Sequence, residues 1–256
     1  MDSLKESVVK AMDGKDVELF PFIPYILQDL WEIGSDPEII TALIQKHFSD
    51  TANIEVLDLG CGKGAVSVKL AKNLSCKCLG IDAIPEFISF AEKKAIEYGV
   101  EMLCMYKVGD MREMISSLPE FDAIILGSIG PVFGDYLATL TRLSKCLKRG
   151  GAVIIDDGYI DNGSKFTHPL MQKKHEIISQ VNKAGMQLAE ERIVDKNYII
   201  DVEDRIFILL KSRCEELIVK HPEKSRLFED YILKQKQEGE VLKKQVVCST
   251  MLIKNW

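Results

Sequence analysis

The sequence predicts an α/β fold built on an open, mostly parallel sheet, and three observations predict it. Short apolar runs alternate with amphipathic segments: strands are expected near residues 54–59, 77–82, 102–108, 121–127 and 152–157, with helices between. That alternation is the pattern of parallel strands joined by right-handed crossovers. The first run, Val56-Leu57-Asp58-Leu59, enters a glycine-rich turn, Gly60-Cys61-Gly62-Lys63-Gly64, and leaves it as a helix, AVSVKLAKNL. The second, third and fourth runs end on Asp82, on Gly109-Asp110-Met111 and on Gly127-Ser128. Polar residues thus gather at one edge of the sheet, the edge where open α/β sheets hold their ligands.

The flanking elements follow in order. Residues 1–50 read as helical. Within them Ser35-Asp36-Pro37-Glu38 is a helix start, with Ser35 as the cap, Pro37 in the first turn and Glu38 completing a capping box. The helix so opened places Ile39, Ile40, Leu43, Ile44 and Phe48 on one face. After the fifth strand, HPLMQKKHEIISQVNKAG reads as a helix stopped by Gly185, which puts His168 and His175 on one face as surface histidines. MQLAEERIV makes a sixth strand and VVCSTMLI (residues 246–253) a seventh. Residues 196–243 between them are charge-rich with periodic apolar positions, and read as two helices broken near His221-Pro222. A stretch of that length is not a structureless loop. Three parts result: residues 1–50 as an N-terminal helical cap, 51–195 with 244–256 as the core, and 196–243 as a helical insertion. The insertion is expected to pack with the N-terminal helices over the carboxyl ends of the strands as an acceptor cap that shapes the substrate pocket, or else to form a dimer interface.

Bulk composition narrows the function classes. Hydrophobic residues at 46% and charged residues at 28% are ordinary for a globular chain. A net charge of −6 disfavours a protein that relies on phosphate contacts, so nucleic acid is an unexpected partner. The N-terminal MDSLKESVVKAMDGKD lacks an apolar signal region, and no apolar run reaches membrane-spanning length. Seven cysteines are scattered without a zinc-type pattern, and Cys76 and Cys78 read as small packing residues. A reduced, cytoplasmic monomer or homodimer without a metal is the expectation.

The turn itself carries the chemistry. Gly60, Gly62 and Gly64 let the backbone turn sharply and approach a ligand, and the following helix aims its free N–H groups at that ligand. Asp82 lies 22 residues beyond Gly60, where a carboxylate can accept from both hydroxyls of a ribose. Alone, the turn indicates a nucleoside-bearing cofactor without saying which.

In series, the motifs resemble those of the class I S-adenosylmethionine (SAM)-dependent methyltransferases. DLGCGKG is similar to that family's first motif, GID to its acidic ribose loop, GDM to its adenine-contacting motif, FDAIILGS to its fourth motif, and LKRGGAVII (residues 147–155) to its turn before the fifth strand. The resemblance covers about residues 54–157 and implies a Rossmann-like, seven-stranded sheet with helices on both faces. It also implies that the last strand runs antiparallel between the fifth and sixth. SAM is the implied cofactor. Asp58 would meet its methionyl ammonium, Gly60, Cys61 and Gly62 its methionine portion, and Asp82 with Ala83 its ribose. Asp110 and the Met111 backbone would meet the adenine, Ile84 and Met111 could sandwich the ring, and Gly127 closes the fourth motif. The Cys61 side chain is expected to pack inward.

Methyl transfer is an in-line displacement with an excellent leaving group, so holding and aligning the acceptor does much of the work. A general base is needed only for a poorly acidic hydroxyl or an ammonium. Candidates are Asp156 and Asp157 at the end of the fifth strand, with Tyr159 following. Adjacent strand residues face opposite ways, so one acid at most points into the pocket. Of the aromatic cluster Phe20, Phe22, Tyr25 and Trp31, Tyr25 offers an apolar pocket a polar handle. LGSIGPVFGD after the fourth strand differs from the Asn/Asp-Pro-Pro-Tyr/Phe type of amine methyltransferases of nucleic acid and glutamine. The expected activity is methyl transfer to a small molecule. Methylation of protein or RNA, or a SAM-binding regulatory role without catalysis, are the alternatives.

Overall fold

The computed structural model describes residues 3–255; Met1, Asp2 and Trp256, the outermost residues of the predicted cap and core, lie outside them. Seven strands form one sheet: β1 (Glu55–Leu59), β2 (Lys77–Asp82), β3 (Cys104–Val108), β4 (Phe121–Gly127), β5 (Leu147–Ile160), β6 (Met186–Ile193) and β7 (Val246–Asn255). Their order is β3-β2-β1-β4-β5-β7-β6, and β7 runs antiparallel to both neighbours. This is the Rossmann-like arrangement that the motif series implied. Strand order reverses at β1 and β4, and there the carboxyl ends diverge into a crevice.

Side chains alternate between two cores, as the period of two requires. Val56, Ala123, Ile125 and Ile154 face α3 (Pro37–His47), α4 (Ala65–Leu74) and α5 (Pro85–Glu97). Leu57, Leu59, Ile124, Leu126, Val153 and Ile155 face α7 (Tyr136–Leu143) and α8 (Lys174–Lys183), beyond the short α6 (Met111–Met114). A third core joins parts that are far apart in the chain. Val9 of α1 (Leu4–Ala11) and Ile23 and Ile26 of α2 (Ile23–Ile26) meet Leu210, Cys214 and Leu217 of α9 (Lys196–Lys220) and Phe228 of α10 (Ser225–Gln245), with Ile84 and Phe87 beneath. The N-terminal helices and the segment between β6 and β7 therefore pack as one body against the β2–α5 corner.

Four local expectations are corrected. Asp36, not Ser35, caps α3: its Oδ1 accepts from the Glu38 and Ile39 amides at 2.8 and 3.4 Å. Ser35 is thereby left to face the sheet. β5 does not end at Asp156–Asp157 but runs to Ile160, because β7 pairs with it from Ala152 to Ile160. Tyr159 is thus a strand residue. The helix expected from His168 begins only at Lys174, since Gln172 and Lys173 are drawn onto the strand edge, where the Ile160 amide donates to the Gln172 carbonyl at 2.9 Å. His168 is consequently not on the face of His175. The stretch before α3 also holds a 3₁₀ turn, Val17–Phe22, and loops rather than continuous helix. Among the described residues, no helix is long and apolar enough to cross a membrane.

Candidate active site

The β1 end is built almost wholly from main chain. Gly60, Gly62 and Gly64 have φ of +70°, +53° and +73°, a region that L side chains rarely adopt. The Gly60 and Cys61 amides donate to the Ile81 carbonyl at 2.8 and 3.1 Å, tying the turn to β2. No side chain caps α4, so its first amides face the turn. A Cβ at Gly60 would lie 2.6 Å from Ile129 Cγ2 and 3.2 Å from Met111 Cε, so the glycine is also a steric requirement.

Two buried carboxylates flank that turn. Asp58 is 2% exposed, and its Oδ2 has no hydrogen-bond partner among the described residues. Burial pushes its carboxyl up to about 7, Asp82 adds to the rise, and the Ser67 hydroxyl and amide pull the other way. A buried oxygen without a donor is costly unless something cationic or protic meets it. Asp82 instead accepts two amides, Gly62 N at Oδ2 and Ile84 N at Oδ1, both at 2.9 Å. Burial raises its pKa against those bonds and that of the Ala83 amide. An ionised carboxylate offers about four lone-pair sites, so capacity remains. Cys61 packs inward against β2, and burial holds its thiol well above the usual range. At the β3 end Asp110 caps α6 and receives Arg112, with Nε at 2.9 Å and Nη2 at 2.6 Å. The Arg112 contact holds its carboxyl below the ordinary range.

The β4–β5 end is built from side chains of distant segments. Ser128, just past Gly127, sits at φ +54°, its amide donating to the Asp156 carbonyl at 2.9 Å. Its hydroxyl lies 3.4 Å from that of Ser35, for which Gly127 leaves room. Asp156 points the same way, toward Ser35, the Asp36 amide and Thr250, and burial pushes its carboxyl up to about 6. Asp157 points to the opposite face, where Tyr136 Oη donates to Oδ2 at 3.2 Å. There a cavity of about 390 Å³ opens between α7, α8 and the strand ends, walled by Leu126, Ile129, Tyr136, Ile155, Asp157 and Ile177. Ile129 is shared: one side meets Gly60, the other lines the cavity.

Residues 50–244 match the family described as a methyltransferase domain. The chain belongs to that family. It is a SAM-dependent methyltransferase of class I, an enzyme, as its motif series implied. It is 27% identical over 158 residues to a probable cobalt-precorrin-6B C(15)-methyltransferase (decarboxylating) of Methanothermobacter thermautotrophicus, covering 62% of this chain and 76% of that one. It is 34% identical over 114 residues to a release factor glutamine methyltransferase of Buchnera aphidicola, covering 41% of each. The chain thus spans three quarters of one relative and under half of the other. A SAM-dependent methyltransferase of Geobacter sulfurreducens, solved with S-adenosylhomocysteine, superposes with a TM-score of 0.77 at 17% identity, over 92% of this chain and 98% of that one, which is a likeness of fold.

In this methyltransferase the remaining candidates lie apart from the cavity. Tyr25 donates its hydroxyl to Glu216 and accepts from Lys220 Nζ at 2.6 Å, joining α2 to α9. Its hydroxyl is thus engaged at the α2–α9 joint rather than turned to the cavity. Tyr159 is buried under α8 beside Lys174, and burial raises its pKa, with Glu191 adding to the rise. His168 lies 3.6 Å from Glu238, and His175 bonds Asn162 Oδ1 at 2.9 Å. Ile84 is 2% exposed and belongs to the third core, so its side chain is packing; Met111 remains half-buried beside Gly60. Sequence reasoning passed over Tyr136, whose only signal is its place in a helix after the fourth motif. It also passed over Lys63, whose signal was plain: a cation inside an otherwise apolar glycine turn.

Proposed function

We propose that the enzyme transfers the methyl group of SAM to a small molecule held in the cavity between α7 and α8. The observation that carries this reading is the shared wall at Ile129, which sets the cavity directly beside the glycine turn. The turn fits the cofactor on three counts. Gly62 faces open space in which a ligand can lie, Asp58 keeps an orphan oxygen suited to the methionyl ammonium, and Asp82 keeps lone pairs suited to ribose hydroxyls. The Met111 backbone and Asp110 border the adenine side. When bound, SAM supplies an electrophilic methyl group on a sulfonium. The chain's own contribution is to hold the acceptor in line and dry.

The cavity's charge favours one class of acceptor. Asp135 and Asp157 are its carboxylates, since Asp156 borders it with its carboxyl turned toward Ser35, and among the described residues no Lys, Arg or His contributes to its walls. An anionic group would enter against that charge, whereas an amine with an apolar body suits both Asp157 and the aliphatic walls. Asp157, its pKa raised by burial, would take the proton that an ammonium must lose before its nitrogen can attack. A volume of about 390 Å³ lies within the ordinary range for small-molecule sites. The glutamine-methylating relative favours one other reading, a protein side chain reaching into the same cavity.

A methyl-labelled screen of primary and secondary amines, phenols and carboxylic acids tests the assignment. Amines are expected to turn over, and Asp157→Asn is expected to lower kcat/KM by about a hundredfold while leaving SAM affinity within twofold. Turnover confined to acids, or an Asp157→Asn variant as active as wild type, would contradict it.

A further inference from the structure

The side chain of Lys63 leaves the cofactor turn and ends in a buried ring of carbonyls. The residue is 3% exposed, and its Nζ donates to Leu27 O at 2.6 Å, Leu30 O at 2.7 Å and Gln28 O at 3.2 Å. Those acceptors lie in the turn just past α2, where the Leu27 carbonyl also accepts from the Leu30 amide at 3.1 Å. Phe87 and Phe90 of α5 present their rings to the same ammonium at 5.6 and 5.0 Å. Burial pulls its pKa down to about 8 while Asp29 pushes it up, so it is charged at neutral pH.

The main chain of Lys63 is engaged as well. Trp31 Nε1 donates to its carbonyl at 3.1 Å, and Glu32 pairs with Lys69 one helical turn into α4. Past these contacts the chain reaches Gly34 and Ser35, which pack on Ser128 and approach Asp156. Residues 27–35 therefore form a strap from the end of β1 to the ends of β4 and β5, fastened at one end by Lys63. An apolar residue at 63 would fill the same space but take the ammonium donor from the Gln28 and Leu30 carbonyls and leave Leu27 O with the Leu30 amide alone, which is costly in a buried site.

We infer that Lys63 is a positioning residue that clasps residues 27–35 across the carboxyl edge of the sheet, and that release of this strap governs cofactor exchange. The inference rests on the assignment of the glycine turn as the cofactor site, and goes beyond it by making the N-terminal segment the gate. Lys63 acts through the strap and touches no reacting atom.

Trp31 reports the strap directly. The sequence has two tryptophans, so a Trp256→Phe background leaves Trp31 as the only one. In that background and without cofactor, Lys63→Met is expected to red-shift Trp31 emission and raise its acrylamide quenching at least twofold. Stopped-flow dissociation of S-adenosylhomocysteine is expected to accelerate at least tenfold, with Lys63→Arg recovering most of the slow rate. Unchanged quenching and an unchanged dissociation rate would overturn the inference. Should Lys63→Met not fold, hydrogen exchange on wild type decides: amides of residues 27–35 are expected to slow at least tenfold on adding S-adenosylhomocysteine, and equal exchange would overturn it. Absence of any S-adenosylhomocysteine binding would instead sink the cofactor assignment, while the quenching comparison would still judge the clasp.

Discussion

Two neighbouring stretches of one sheet edge are built on different principles. At the β1–β2 end, Asp58, Gly60, Gly62 and Asp82 lie within one βαβ unit, and the contacts that hold them are main-chain amides and carbonyls. At the β4–β5 end, Ser35, Ser128, Tyr136, Asp156, Asp157 and Thr250 converge from five separate segments through side chains. The first arrangement, the proposed cofactor seat, suits a group that many acceptors share. The second can be exchanged piece by piece without disturbing the sheet, which accounts for relatives of one fold acting on different acceptors.

The sharpest break of that contrast is at Gly60. Gly60→Ala would place a Cβ 2.6 Å from Ile129 Cγ2 at φ +70°, so both sites feel it. SAM affinity is expected to fall at least a hundredfold by calorimetry; a loss under threefold would show that the turn is not the cofactor's seat. Next comes Asp82→Ala, which removes the acceptor of the Gly62 and Ile84 amides as well as the proposed ribose partner. A charge-assisted bond contributes about 1.5–3 kcal/mol, so at least tenfold weaker SAM binding is expected. Unchanged affinity would dissociate Asp82 from the ribose.

A pH titration sharpens the role of Asp58. Its carboxyl titrates at about 7 in the folded chain, so it is increasingly neutral below that pH. An ammonium binds the ionised form, and affinity should rise with pH, being about tenfold stronger at pH 8 than at pH 6, with proton uptake by buffer on binding at pH 6. The stability sign is the reverse. A raised carboxyl pKa leaves the folded chain favoured while the unfolded carboxyl is protonated, and that advantage is lost as pH rises from about 4 to 7. Asp58→Asn should therefore raise the Tm of the cofactor-free protein at pH 8 while weakening SAM binding. Equal affinity at pH 6 and 8 would remove Asp58 from the ammonium site. The smallest effect is expected at Tyr25, whose hydroxyl is occupied by Glu216 and Lys220 at the α2–α9 joint. Tyr25→Phe should change kcat/KM less than threefold, and a tenfold loss would return it to the acceptor site.

This division also decides what could be read from the amino acids. The glycine turn and its acid partner Asp82 follow from short-range spacing, because each depends on residues a strand or a helix apart, whereas the place of the antiparallel β7 was implied by the resemblance of the motif series. Where two segments compete for a residue, spacing is silent. Ser35 suits an N-cap by residue type, yet in the fold its hydroxyl faces Ser128 and the Asp36 carboxylate takes the Glu38 and Ile39 amides. The helical pattern from His168 loses to pairing of Gln172 with the β5 edge. The alternation argument for Asp156 and Asp157 holds, since they do face opposite sides, yet which side carries the cavity depends on α7 and α8. Tyr25 was chosen for its polar handle, but Glu216, far along the chain, takes that handle.

The division of labour between the two ends is tested most directly by titrating S-adenosylhomocysteine into wild type, Asp82→Ala and Asp157→Asn in parallel, with NAD as a control ligand. Micromolar binding to wild type, at least tenfold weaker binding to Asp82→Ala, unchanged binding to Asp157→Asn and none of NAD is the predicted result. Equal binding to wild type and Asp82→Ala, or a comparable loss in Asp157→Asn, would contradict it.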